Sequence, residues 1–78
     1  MSKFYYEIQI PENTDSGKYE KFSDWGDGWH GIRILNLDTR ESSIKKFNKI
    51  KKEFNIIRLV QFTTTPEHAK KIIAIKEQ

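Results

Sequence analysis

The stretch SDWGDGWHG, Ser23 to Gly31, holds both tryptophans of the chain, three of its four glycines, two aspartates and one of its two histidines. Three chemistries compete for it. Asp24, Asp27 and His30 recur every third residue, a spacing that converges on a metal ion only along a helix, and the glycines oppose a helix. No EF-hand loop or HExxH pattern is present, so no metal is expected. The glycines do not read as a phosphate cradle, because no helix and no Lys-Ser/Thr follows them. No cofactor is expected either.

The second chemistry is a turn. Trp25 and Trp29 flank Gly26-Asp27-Gly28 symmetrically, as residues facing each other across a tight hairpin would, and Asp-Gly is a favoured turn dipeptide. The third is recognition. A tryptophan pair on a loop carrying Glu12, Asp15, Glu20, Asp24 and Asp27 against Lys18 and Lys21 would suit a basic protein surface. Trp25, Trp29, Asp24 and Asp27 are then the candidate partner-binding residues, and the turn reading stands beside this one.

A second cluster is cationic. In SSIKKFNKIKKEFN, Ile44, Phe47, Ile50 and Phe54 form one apolar stripe on a helical wheel. Lys45, Lys49 and Lys52 fall opposite it, with Lys46 beside them, while Arg40 and Lys51 flank the apolar side. Ammonium groups about one turn apart can follow a phosphate backbone, with affinity driven by counterion release. Lysine in place of arginine favours backbone contact over base readout. Snorkelling lysines on a solvated face are the alternative. Residues 1–38 carry a net −3 and residues 39–78 a net +6, which favours nucleic acid. Arg40 and Arg58 are added as helpers, and Tyr5 with Arg58 forms a candidate stacking platform for single-stranded RNA. The K/R-G-F/Y-G/A-F and GxxG signatures of common RNA-binding modules are absent.

Catalysis has thin support. His30, Tyr19 and Arg33 are the residue types of a small metal-free ribonuclease, but no spacing makes them converge. His68 reads as a surface or capping residue. The chain is therefore expected not to be an enzyme.

The elements that must position these groups follow from periodicity. Lys3–Ile10 alternates, with Phe4, Tyr6, Ile8 and Ile10 on one face and Tyr5, Glu7 and Gln9 on the other, as in a strand. YEKFSDW before the glycine turn resumes a strand-like pattern, and GIRILNLD after it reads as a third strand. Asp38 and Glu41 have capping-box spacing before the lysine helix. NIIRLVQFTTT reads as a central buried strand. Thr65-Pro66-Glu67 reads as the start of a second helix burying Ala69, Ile72 and Ile73. The expected fold is α+β in the order β-β-β-α-β-α: a small antiparallel meander with both helices packed on one face.

Seventy-eight residues make one domain, 1–78, with a small core and no cysteine for disulfides or thiolate ligands. No apolar run of membrane-spanning length or signal pattern occurs, so no membrane role is expected and a cytoplasmic setting is. An exposed sheet edge would leave homo-oligomers open.

In style, the bare opening MSKFYYEIQI, the Lys/Ile/Asn-rich IKKFNKIKKEFNIIRL and the absence of cysteine resemble the small accessory and host-defence-antagonist proteins of large tailed phages. That likeness implies a viral, antitoxin-like inhibitor of a host protein or its RNA, acting in the host cytoplasm; it assigns no residue. The leading expectation is a binding module whose helix engages RNA or a ribonucleoprotein, in some cases to inhibit an RNA-handling enzyme. The alternative is an antagonist docking on a host protein through the acidic tryptophan hairpin.

Overall fold

Alternating apolar side chains make Phe4–Pro11 a strand, β1, and its neighbours decide that it is the central one. The computed structural model describes residues 3–65 and 69–78. After β1 come β2 (Lys21–Asp24), β3 (Trp29–Ile32), helix α1 (Arg40–Ile50) with a 3-10 turn at Lys51–Glu53, β4 (Ile56–Thr63) and β5 (Lys70–Glu77). They form one five-stranded sheet in the order β2-β3-β1-β4-β5, with every neighbouring pair antiparallel. Because β1 is antiparallel to both β3 and β4, those two run parallel with β1 between them. α1 is the connection that carries the chain across.

One sheet face carries α1. Ile8, Ile10, Ile32, Ile57 and Leu59 are fully buried there against Phe47, Ile50 and Phe54, with Ile44 partly buried at the margin. Full burial of such a side chain contributes about 1.5–3 kcal/mol relative to exposure. The apolar stripe of α1 is thus the one its periodicity predicts. Its start lies one residue later than expected: Thr39 is the N-cap, and Thr39 and Ser42 satisfy each other's backbone N–H groups. Asp38 accepts from the Ser42 hydroxyl instead of capping the helix itself. At the other end, Lys76 of β5 donates to the carbonyls of Lys51 and Phe54 at 3.0 and 2.8 Å, placing a cation where the helix dipole is negative.

Two expectations about the fold are corrected. The sheet is not a meander, since β1 pairs with β3 and β4 and not with β2. Nor are there two helices: Lys70–Glu77 is an edge strand paired along β4, not a helix. Pro66, Glu67 and His68, on which the start of that helix rested, lie outside the described residues. The reason is visible in KKIIAIKE. Three β-branched isoleucines disfavour a helix and suit a pleated surface. β4 also leaves a full-length edge to be covered. Thr63 closes the connection: its N–H donates to the Ala69 carbonyl, and its hydroxyl oxygen accepts from the Ala69 N–H. Ile72 is 47% exposed, whereas the helix reading would have buried it.

Candidate nucleic-acid interface

Burying Phe47 and Ile50 turns the opposite side of α1 to solvent, and that side is basic. Lys45, Lys49 and Lys52 are exposed there, Lys46 beside them is half-buried, and Arg40, also exposed, lies toward the apolar side at the first turn. Among the described residues, no carboxylate lies within ion-pair distance of any of them. From Arg40 to Glu53 the chain carries six cations against two carboxylates. The face therefore keeps an excess of positive charge that can attract an anion.

An open groove flanks each side of this face. One, of about 330 Å³, lies between α1 and the segments before β2 and after β3; Lys18 and Arg33 join Lys46 and Lys49 on its rim. The other, of about 450 Å³, runs beside the C-terminal end of α1 and includes Lys51, Lys52 and Lys76. Arg33 is shared with Glu20 at 3.0 Å. Tyr19 donates its hydroxyl to Glu53 at 3.0 Å, and burial, that bond and the Glu53 charge all push the phenol's pKa up. It stays neutral at physiological pH.

The structure divides the expected site residues between two faces. Lys45, Lys46, Lys49 and Arg40 lie on α1, and Lys52 in the 3-10 turn that follows it. Arg58 lies on the far side of the sheet, buried under the β2–β3 hairpin. Its Nε donates to Gln9 Oε1 at 2.8 Å, its Nη2 to Asp27 Oδ2 at 3.3 Å, and its guanidinium sits 4.0 Å from the Trp29 ring centroid. Burial pulls its pKa down, opposed by the charge and hydrogen bond of Asp27. The platform read from Tyr5 and Arg58 is accordingly a covered face, on which Tyr5 stacks on Phe62 at 5.2 Å.

The opening stretch is explained by the same face. Trp25 stacks on Phe62 at 4.8 Å and donates its indole N–H to Glu7 Oε1 at 3.1 Å. That oxygen also accepts from Gln9 at 3.0 Å and from Ser23 at 2.9 Å. Gly31 leaves room for this cluster, because a Cβ there would fall against Ser23 Oγ and within 2.7 Å of Glu7 Oε1 and push both aside. Gly26 and Gly28 take positive φ and fold the turn back over the sheet. Asp24 and Asp27 each bind a backbone N–H two residues on, and Asp27 also holds Arg58 and Lys70. So Trp25, Trp29 and Asp27 act within the molecule, as a clasp over a buried polar cluster.

Burial alone would raise the Asp27 pKa, but the Lys70 hydrogen bond, the Trp29 N–H and the charges of Lys70 and Arg58 hold it below its ordinary value. A depressed carboxylate pKa stabilises the fold above the unfolded value of 3.8, and this contribution is lost as pH falls through the folded value. Asp27→Asn is therefore expected to cost about 1–2 kcal/mol at neutral pH. The gap between variant and wild type should narrow on going from neutral pH to a pH below 3.8. Urea unfolding followed by tryptophan fluorescence at both pH values measures it; a pH-independent gap would contradict the assignment.

Among the described residues, Glu12, Asp24 and His30 form the group with metal-ligand chemistry, their ligand atoms within 4.8 Å of one another. Asp27, which the spacing had joined to Asp24 and His30, is instead at Arg58. Bonds of about 2.0–2.2 Å would need the two exposed carboxylates drawn inward. The arrangement is accounted for without an ion, since Asp24 binds Gly26 N and His30 Nδ1 lies 3.1 Å from the Ser23 carbonyl. Tyr19 and Arg33 line the smaller groove and His30 does not, so the ribonuclease candidates are not gathered there.

Lys18, Arg33 and Lys76 are the groove cations that sequence reasoning left out of the surface. They come from three segments far apart in the chain, and no local spacing links them. Among the described residues, no helix is long and apolar enough to cross a membrane. No protein-family model matches the chain, and neither a curated protein nor a solved structure matches it.

Proposed function

We propose that this chain is a non-enzymatic binding protein that engages RNA or a ribonucleoprotein in the cytoplasm through the lysine face of α1. The supporting observation is the uncompensated row Lys45, Lys49 and Lys52, extended on both sides by cation-lined grooves. Lysine heads on flexible stems suit phosphates whose exact positions vary, and they favour affinity over base selectivity. Arg40 sits at the first turn of the same helix and can add a contact. The hairpin reading gains less support, because Trp29 and Asp27 are engaged inside the molecule and Trp25 is stacked on Phe62.

The test is a titration of a labelled single-stranded RNA, followed by fluorescence anisotropy from about 0.05 to 0.5 M salt. Four to six phosphate contacts at about 0.7 each predict that log Kd rises with log salt at a slope of about 3–4. Binding that ignores salt, or no binding at the lowest salt, would remove the reading.

A further inference from the structure

The groove beside Lys46 and Lys49 has a feature that phosphate contact alone does not require. Leu35 lies in it, and at 75% it is the most exposed of the large apolar side chains among the described residues. Asn36, at φ 64, turns the chain just after it. Tyr19 lies in the same groove, its ring held in place by the bond to Glu53 and by packing against Phe54. The result is an apolar surface rimmed by Lys18, Lys46, Lys49 and the Glu20-paired Arg33, with Glu53, held by Tyr19, as the carboxylate in the lining. At about 330 Å³ the groove falls within the roughly 300–1,000 Å³ of small-ligand sites.

A ligand complementary to this groove is anionic at its edge and apolar and flat in its body. A duplex presents only its charged backbone to such a surface, because its bases are stacked inside. An unpaired nucleotide presents both parts at once. We infer that the groove takes one unpaired nucleotide, with the base over Leu35 and the flanking phosphates on Lys46, Lys49 and Arg33, so that the ligand of the α1 face is single-stranded. This rests on the reading of the α1 face given above and names its ligand class.

Three labelled ligands of equal length separate the possibilities: a single-stranded RNA, a perfect duplex, and a single strand carrying abasic sites. The full chain should bind the single strand about tenfold or more tightly than the duplex or the abasic strand, in keeping with the contribution of one base on an apolar platform. Leu35→Asp, at an exposed position, should keep the wild-type circular dichroism spectrum. It should lose that preference and fall to the affinity of wild type for the duplex. Equal wild-type affinity for all three ligands would overturn the inference and leave the lysine face standing, as would a Leu35→Asp variant that retains the preference. Binding to none of the three would overturn both. Replacing the RNA by a DNA strand of the same sequence shows whether the sugar contributes.

Discussion

Arg58→Ala is expected to lower the unfolding free energy by about 3–5 kcal/mol, the largest stability loss of any cation in this chain. The reason is what the truncation leaves behind. Gln9, fully buried, would lose the donor to its carbonyl oxygen, and Asp27 one of its two cationic partners. Trp29 would lose the guanidinium beneath its ring. A domain of this size has only a few kcal/mol to lose, so the variant should be largely unfolded at 37 °C. Arg58→Met, which keeps volume and removes charge, should cost less than Arg58→Ala while still leaving Gln9 unpaired. Thermal and urea unfolding of both variants against wild type checks the order. Loss of under about 1 kcal/mol in Arg58→Ala would show that the buried cluster does not hold the hairpin.

The second large effect concerns binding. Replacing Lys45, Lys49 and Lys52 together with glutamate should weaken RNA binding by about 100-fold near 0.1 M salt and leave the fold intact. Three lost contacts at about 0.7 each remove roughly two powers of ten relative to 1 M salt, and the salt slope should fall by about 2. The three positions are exposed and make no ion pair among the described residues, so their reversal breaks no fixed contact. Reversed charges repel the backbone as well, which makes 100-fold a lower figure. Unchanged retention of RNA would remove the α1 face as the interface. The contrast between the two experiments separates the molecule into a face that binds and a face that holds.

That division was only half legible in the sequence. The lysine face could be read because a helix repeats every 3.6 residues, so stripe and counter-stripe are fixed together by local spacing. The faces of β1 were readable for the same reason, with period two. The role of Arg58 was not, because its partners come from two other segments, Gln9 from β1 and Asp27 and Trp29 from the β2–β3 hairpin. In a sequence it looks like any other cation. Trp25 and Trp29 were correctly placed at a glycine turn. Their destination depended on which sheet face the turn folds over, which the turn residues do not encode. The last strand was misread as a helix because Thr-Pro-Glu is a strong local start signal, while the free edge of β4 that recruits Lys70–Glu77 is a property of the assembled sheet.

The central position of β1 has a consequence for the birth of the chain. Of the five strands β1 is made first, yet its partners are β3 and, much later in the chain, β4, so that Phe4 is matched only by Thr63. No hairpin of adjacent segments can shelter it in the meantime. Such distant pairings slow folding, because loop-closure entropy must be met before any contact repays it. During synthesis Ile8 and Ile10 therefore stay open to water until α1 and β4 have emerged, and the sheet assembles around its oldest strand last.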